Sequence, residues 1–419
     1  MGKITIEPLS RLEGHGKVTI VVDDSGNPLD VKLHITAIRG FEQFVVGRPA
    51  EEVPRIVTRI CGICQTPHHL ASVKAVDAAW DVEIPEAAKK LRELMLLGNM
   101  IHSHALHFYY LAVPDFILGL DADPKVRNVV GLIEKSPEMV KKAIALRKFG
   151  QGIVEKVGGR PIHPVTAIPG GIAKTLSEEE RDTFLKEIDT MIEYARESVE
   201  LIKSINESYM DIVKSVGVID TWYLGIVKEG KHSFYDGVLR FLSPDGSEKV
   251  EFSFSEYQDY IGEHNVPHSY VKYPYYKKVG YPEGIYRVGP LAMMNVCDSI
   301  PTPLAEEARR EFLDMFGSPA NQSLAYHHAR LIELLAACER TKELLEDDEI
   351  TSTDVKVDVE PKAGDGVGVV EAPRGVLIHH YQTDDRGIVT KANMIVASTH
   401  NVPAMEEALK QAVKEIFKK

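Results

Sequence analysis

The stretch Arg59-Ile-Cys-Gly-Ile-Cys-Gln-Thr-Pro-His68 contains two of the four cysteines of the chain, Cys61 and Cys64. Two thiolates separated by two residues can reach a single soft metal ion, and Gly62 between them lacks the Cβ that would obstruct a tight turn. His68 follows as a further ligand or as a hydrogen-bond donor to a sulfur. By itself this spacing leaves zinc, an iron-sulfur cluster and a thioredoxin-like redox pair open.

Composition and charge are those of an ordinary globular protein. Of the 419 residues, 44% are hydrophobic and 26% are charged, and the net charge of -13 argues against a nucleic-acid partner. The sequence does not begin with the apolar run of a signal peptide, and no uninterrupted apolar stretch approaches the roughly 20 residues of a membrane helix. We therefore expect a cytoplasmic protein without a membrane partner, in which Cys297 and Cys338 are core residues.

Hydrophobic periodicity predicts an α+β fold that is mainly α, in one large domain of residues 1–419. Its centre is a bundle of buried long helices, and small β-sheets lie at the periphery. The longest helix is expected to begin at a capping box at Ser177 and to reach about Val216. The successive parts are an N-terminal β part in 1–45, a helical core in 50–216, a mixed β insertion in 217–300, and helices, a β-hairpin and a C-terminal helix in 303–419.

Further motifs are spread along the chain around the cysteine stretch. They are Ser10-Arg-Leu-Glu-Gly-His15, Arg39-Gly-Phe-Glu42, Gly159-Arg-Pro-Ile-His-Pro164, Glu371-Ala-Pro-Arg-Gly375 and Ser398-Thr-His-Asn401. In this order they resemble the large (catalytic) subunit of nickel-iron hydrogenases, and several separated motifs are far more specific than any one of them. The variety that the chain resembles is the cytoplasmic, viologen-reducing type of methanogenic archaea, which works beside a heterodisulfide reductase. The resemblance implies reversible conversion of dihydrogen to protons and electrons.

The resemblance also implies roles for side chains around a nickel-iron centre. Cys61 corresponds to a terminal nickel ligand and Cys64 to a thiolate that bridges nickel and iron, and soft thiolates suit a metal that must change oxidation state. Glu13, which lies in the connection between two predicted strands, corresponds to the glutamate that passes protons to and from a metal-bound thiolate, which requires a base whose pKa can be tuned near neutrality. Arg374 and Ser398 correspond to residues that hydrogen-bond the two cyanide ligands of the iron, which also carries carbon monoxide.

A magnesium site is implied beside this centre. Glu42 corresponds to one magnesium ligand and is joined by the carbonyl of Met394, while the third ligand of the family is a histidine at the end of its chain. His68 is a cofactor-binding candidate through a hydrogen bond to a sulfur.

The sequence departs from the family in the second half of the metal site. The family completes the centre with a second Cys-x-x-Cys and a histidine at the carboxyl terminus, whereas no cysteine follows Cys338 here. Three explanations are open: a separate short peptide carries the missing pair, the sequence stops early, or the metal has been lost, as in the quinone-site subunit of respiratory complex I. The retained Cys61 and Cys64 argue against loss of the metal.

Electron transfer requires partner proteins, because the four cysteines leave none for an iron-sulfur chain. We therefore expect an iron-sulfur small subunit and an electron-transfer subunit beyond it. Two acceptors remain open after these, a heterodisulfide reductase, which overall likeness favours, and a deazaflavin-reducing subunit. Two other hypotheses compete. One is a metal-free structural or quinone-docking subunit of a complex-I-like assembly. The other is a zinc scaffold that uses Cys61, Cys64 and His68 but has no fourth ligand nearby.

Overall fold

Helices dominate the computed structural model, which describes residues 2–37 and 39–417. The α-helices are Phe41–Val45 (α1), Val53–Ile56 (α2), Gln65–Ala79 (α3), Glu86–Leu106 (α4), Val113–Leu118 (α5), Val129–Lys135 (α6), Pro137–Gly158 (α7), Glu178–Ser208 (α8), Met210–Val213 (α9), Tyr257–Tyr260 (α10), Pro290–Val296 (α11), Pro303–Phe316 (α12), Tyr326–Glu346 (α13) and Ala397–Phe417 (α14). A π-helical segment, His107–Ala112, joins α4 to α5.

Short strands form small sheets around the helices. The strands are Gly2–Ile6 (β1), Gly16–Val22 (β2), Pro28–Ile35 (β3), Ala167–Ile168 (β4), Gly171–Ile172 (β5), Trp222–Lys228 (β6), Lys231–His232 (β7), Val238–Leu242 (β8), Lys249–Phe252 (β9), Ile261–His264 (β10), Tyr273–Tyr276 (β11), Tyr286–Arg287 (β12), Gly364–Ala372 (β13), Gly375–Thr383 (β14) and Val389–Ile395 (β15). The larger sheets have the orders β1-β2-β3, β12-β6-β8-β9 and β13-β14-β15, and β7 pairs with β6.

The helical core is built around α4 and α13, which pack on each other and on α7 and α8. Apolar residues on several faces of α4 are fully buried, among them Leu94, Leu97 and Ile101. Helix α4 crosses α7 at Gly98 and Gly150, where a Cβ added to Gly98 would lie 2.8 Å from the Gly150 carbonyl oxygen. The close approach therefore requires glycine, and burial of the surrounding apolar side chains is the main source of stability.

The long helix α8 begins where the sequence predicts. Ser177 Oγ accepts a hydrogen bond from the Glu180 backbone N–H at 3.2 Å, and the Glu180 carboxylate accepts from the Ser177 N–H at 3.3 Å, which completes the capping box. The predicted end near Val216 is wrong, because α8 stops before Tyr209 and only the short α9 follows. The Tyr209 hydroxyl donates to the Phe116 carbonyl at 3.1 Å, and the two rings pack together. We attribute the early end of α8 to this tertiary contact, although the apolar periodicity of the sequence continues to Val216.

The predicted C-terminal β-hairpin is part of a three-stranded sheet. The strand that was not predicted is β13, in which Gly364, Gly366 and Gly368 are poor strand formers. Because these glycines lack side chains, β13 lies directly on α3, and a Cβ on any of them would overlap the α3 backbone. Strands β13 and β14 then meet in a tight turn that contains Arg374.

The N-terminal sheet packs against the C-terminal helix. Val18 and Leu33 on the buried face of β2 and β3 belong to one apolar cluster with Val402 and Val413 of α14. In addition, Glu406 Oε2 accepts a hydrogen bond from the Leu33 N–H at 2.8 Å. This layer supports the β1–β2 loop, residues 7–15.

The predicted fold class, α+β and mainly α with peripheral sheets, is confirmed. The strands β1–β3 lie within 1–45, the long helices begin after residue 50, and most other strands lie within 217–300. Division of the chain into one large domain stays a prediction. In the part of the chain that the structure describes, no helix combines the length and the apolar character needed to cross a membrane.

Candidate metal centre

Both cysteines of the Cys-x-x-Cys stretch lie in a short loop before α3. Cys61 is extended after a 3₁₀ turn, and Cys64 immediately precedes the helix. The Cys64 backbone N–H donates to Cys61 Sγ at 3.2 Å. The two sulfurs are neighbours, and the Cα atoms of the two cysteines are 5.4 Å apart. As thiolates, the two side chains would supply two ligands to one soft metal ion.

One face of the buried helix α4 supports two loops of the site. Asn99, which is 1% exposed, donates from Nδ2 to the Ile63 carbonyl between the two cysteines, at 3.0 Å. One turn later, Ser103 Oγ contacts the Arg374 guanidinium. Asn99 and Ser103 were not predicted, because polar residues on a buried helix are usually satisfied within the core. The signal that could have found them is their spacing of one turn on a largely apolar helix.

The turn that contains Arg374 is held on both sides. The Pro373 carbonyl accepts a hydrogen bond from Arg330 Nη1 at 2.8 Å, and the Arg374 carbonyl accepts one from Asn401 Nδ2 at 3.1 Å. Burial lowers the pKa of Arg374 to about 10, although the Glu13 carboxylate acts in the opposite direction. A guanidinium with this pKa is still charged at neutral pH, so the site contains a fixed cation.

Glu13 lies in the β1–β2 loop, as the sequence predicts. Its Oε1 is 3.9 Å from Cys61 Sγ, and its charge acts on Arg374. The Glu13 side chain is exposed on the surface of this chain. The structure therefore brings together Glu13, Arg374 and the cysteine loop, with Glu13 on the outer side.

His68 belongs to a buried chain of hydrogen bonds. Its Nδ1 is 3.0 Å from His379 Nε2, and His379 Nδ1 is 2.5 Å from the Tyr381 hydroxyl, which donates to Ser72 Oγ at 2.9 Å. Burial lowers the pKa of His68 to about 3, so its ring is neutral. Among the described residues no side-chain hydrogen bond joins His68 to a cysteine sulfur. The backbone N–H of His68 instead donates to the Cys64 carbonyl at 3.4 Å.

The other predicted site residues lie on separate elements. Ser398 is exposed in the first turn of α14, the helix whose Asn401 bonds to the Arg374 loop. Glu42 Oε1 accepts a hydrogen bond from the Met394 N–H at 3.1 Å, so the two predicted magnesium ligands are neighbours.

The side chains that could bind a metal ion in the described part of this chain are too few for a complete site. Within residues 2–37 and 39–417, no group of three or more His, Cys, Asp and Glu side chains could hold a metal ion. The two cysteines, with a carboxylate on one side and a guanidinium nearby, fit part of the ligand set of a soft-metal centre.

Comparison with known families and proteins agrees with this arrangement. A family model described as nickel-dependent hydrogenase matches residues 39–136 and 211–416, and a HoxL-like model matches residues 3–38. The chain is 75% identical over 418 residues to a subunit of the F420-non-reducing hydrogenase vhu of Methanocaldococcus jannaschii, with 100% of both chains covered. It is 47% identical over 424 residues to a subunit of the F420-non-reducing hydrogenase of Methanothermobacter thermautotrophicus, with 100% of this chain and 89% of that one covered.

A solved structure supports the same relationship in three dimensions. The crystal structure of an NAD+-reducing NiFe-hydrogenase in the H2-reduced state matches with a TM-score of 0.96 and 41% sequence identity, over 99% of this chain and 92% of that chain. The family match spans the cysteine loop, Arg374 and Ser398. These matches favour a hydrogenase over a metal-free quinone-docking subunit. The chain therefore belongs to the nickel-dependent hydrogenase family, as the large, catalytic subunit of a nickel-iron hydrogenase.

Proposed function

We propose that the site formed by Cys61, Cys64, Glu13 and Arg374 is where this hydrogenase interconverts dihydrogen with protons and electrons. The observation that carries the proposal is the Glu13 carboxylate 3.9 Å from Cys61 Sγ. Cleavage of dihydrogen releases protons, and a carboxylate beside a ligand thiolate is placed to accept one. When bound, a nickel-iron centre supplies the redox-active metal for this cleavage.

Each residue has a distinct role in this proposal. Cys61 would hold the nickel, and Cys64 would be a ligand shared by nickel and iron. Glu13 takes up the proton and releases it outward, which its exposed position allows. The Arg374 guanidinium and the Ser398 hydroxyl would donate hydrogen bonds to the cyanide ligands that the iron would carry together with carbon monoxide.

The two remaining thiolates are proposed to come from a separate short peptide with its own Cys-x-x-Cys. The other two cysteines of this sequence, Cys297 and Cys338, are free and buried, and burial raises the pKa of Cys297 to about 11. A thiol with that pKa is a poor metal ligand at neutral pH. Glu42 and the Met394 carbonyl are proposed to bind magnesium, with the third ligand also from outside this sequence.

Electrons are proposed to leave through an iron-sulfur small subunit, since the four cysteines of this sequence leave none for a cluster relay. From there we propose that they pass through an electron-transfer subunit to heterodisulfide reductase in the cytoplasm. The support for this acceptor is the likeness to F420-non-reducing hydrogenases of methanogens.

Metal analysis of the native complex tests the proposal. We expect about one nickel per copy of this chain, because the two cysteines form half of one soft-metal site. Iron without nickel, or zinc alone, would contradict the assignment of the cysteine loop.

A further inference from the structure

Arg11, in the β1–β2 loop, has an unusual backbone conformation. Arg11 has a φ of 57°, in the left-handed region that a residue with a Cβ adopts only at a cost in conformational energy. Such residues persist where surrounding contacts hold them, and they concentrate at functional sites. Arg11 is in the same motif as Glu13, two residues away, but the nickel-iron chemistry above gives it no role.

The Arg11 side chain joins the loop to the helical core. Its Nη2 is 2.5 Å from Asp115 Oδ1, and its Nη1 donates to the Leu111 carbonyl at 3.4 Å. The same carboxylate oxygen is 3.3 Å from Arg127 Nε, so Asp115 serves two guanidinium groups. The side chains of Arg11 and Asp115 are 27% and 29% exposed. Water and salt therefore screen the attraction between the two charges less than they would in a fully exposed pair.

An irregular helix supplies both acceptors. Leu111 lies in the π-helical segment His107–Ala112, and Asp115 lies in α5 immediately afterwards. π-Helical turns are rare, and they are frequent at functional sites because the widened turn re-aims the residues around it. Here the Leu111 carbonyl and the Asp115 carboxylate both accept hydrogen bonds from the Arg11 guanidinium.

Few polar contacts hold this loop. Among the described residues, the hydrogen bonds and ion pairs that join residues 7–15 to the helical core involve Arg11 and Glu13 alone. The Glu13 contact is the functional one, and at 3.9 Å to a sulfur it is too weak to fix the loop. Arg11 therefore adds a side-chain anchor to the helical core, beside the backbone hydrogen bonds of Leu9 and His15 that join the loop to its own sheet.

We propose that the Arg11–Asp115 ion pair is a positioning device that keeps the Glu13 carboxylate within reach of Cys61 Sγ. The inference rests on the proposed proton-transfer role of Glu13. Without the pair, the exposed loop adopts other conformations, and the carboxylate spends less time beside the thiolate. Displacement of a reacting group by about 1 Å can lower a rate by roughly a hundredfold.

Hydrogen-deuterium exchange by the native complex tests this inference with two variants. Asp115→Ala and Arg11→Gly both remove the ion pair, and glycine adopts the left-handed conformation without strain. We expect nickel content and the spectroscopic states of the metal to be unchanged, while exchange falls by roughly tenfold or more. Arg11→Lys retains the charge and should recover part of the rate.

Glu197→Gln is the matched control. Glu197 pairs with Lys142 between α8 and α7, and these side chains are 40% and 35% exposed, comparable to the Arg11–Asp115 pair. Loss of that pair should leave exchange at the native rate.

A double variant separates positioning from an independent role. In a Glu13→Gln background, Asp115→Ala should lower exchange no further, because the pair acts through Glu13. The same fold loss in that background would overturn the inference. Native exchange in both single variants, or loss of nickel from both, would also overturn it. Native exchange in Glu13→Gln itself is a different result, which removes the proposed role of Glu13.

Discussion

The two sides of the proposed metal site differ in how the fold holds them. The cysteine loop and the Arg374 turn lie against the buried helix α4, where Asn99 bonds to the backbone between the cysteines. The loop that contains Glu13 lies at the surface, and the ion pair between Arg11 and Asp115 ties it to the core. Metal ligands benefit from a fixed, buried setting, whereas a group that exchanges protons needs access to its surroundings.

This difference implies that metal retention and proton transfer can be separated by substitution. On the buried side, changes to the cysteines or to the side chain that supports their loop should weaken or remove metal binding and lower activity with it. Changes on the exposed side should leave the metal in place and slow only the proton steps. A substitution on one side that produces the effect expected of the other would break the comparison.

Cys64→Ser should have the largest effect, which is complete loss of both nickel and hydrogen oxidation. A serine hydroxyl is harder and far less acidic than a thiol, and so it cannot replace a soft bridging ligand. The fold should survive, because buried apolar side chains of the long helices stabilise it. Metal analysis, hydrogen uptake and circular dichroism of the purified complex measure these three properties. Cys297→Ala, a control at a buried free cysteine, should retain nickel. Ordinary turnover by Cys64→Ser would show that the cysteine loop is wrongly assigned.

Glu13→Gln should lower hydrogen oxidation and hydrogen-deuterium exchange by roughly a hundredfold or more, with nickel content unchanged. Glutamine is nearly isosteric and keeps hydrogen-bonding capacity, but it cannot release a proton near neutral pH. Exchange assays and metal analysis on the same preparation measure the two effects. Glu7→Gln changes another exposed carboxylate of the same loop and should have no effect. Wild-type exchange in Glu13→Gln would show that Glu13 is a surface carboxylate with no role in proton transfer.

Asn99→Ala should weaken nickel retention by roughly tenfold, as is typical when a side chain that supports a metal ligand is removed. The substitution deletes the hydrogen bond to the Ile63 carbonyl and so loosens the cysteine loop. Nickel remaining after dialysis against a chelator gives the measurement. Asn295→Ala is the control, because Asn295 is also buried but bonds twice to the backbone of Ala320. It should cost stability and keep nickel, whereas equal nickel loss in both variants would point to general unfolding.

Local patterns predicted the parts of the site that depend on nearby residues. The Cys-x-x-Cys loop, the position of Glu13 between two strands and the Ser177 capping box all follow from residues within a few positions of one another. The mainly helical fold followed from periodicity in the same way. The roles of Ser398 and Glu42 stay predictions from resemblance.

Contacts between distant parts of the chain could not be predicted from such patterns. Asn99 bonds to a carbonyl 36 residues earlier, and Arg11 pairs with Asp115 across 104 residues. Strand β13 was missed for a related reason, since its glycines lower the strand propensity and are explained only by the close approach of α3. In each case a tertiary contact determines the role of a residue that looks ordinary in its local sequence.

Glu371 shows that the buried side of the site carries a stability cost. Its carboxyl group is fully buried, and neither oxygen has a hydrogen-bond partner among the described residues. Burial, with a smaller contribution from the nearby Glu333 carboxylate, raises the pKa of Glu371 well above its ordinary value. The folded protein therefore keeps this proton at pH values where the unfolded chain has released it.

Glu371→Gln should have the smallest effect on activity, and its effect should be seen instead as a rise in thermal midpoint that grows with pH. The contribution of Glu371 to stability is fully present below its unfolded pKa of about 4.3. As pH rises from there toward the raised folded pKa, wild-type stability falls by about 1.4 kcal/mol per pH unit from this group, and glutamine has no such slope. Thermal unfolding of both complexes at about pH 5 and about pH 8 measures the difference. Glu339→Gln is the control. Glu339 is also buried, but its carboxylate accepts hydrogen bonds from the Leu304 and Ala305 N–H groups at 3.0 and 2.9 Å. Loss of this carboxylate should lower the thermal midpoint at both pH values. A pH-independent difference for Glu371→Gln would mean that Glu371 is ionised in the folded protein.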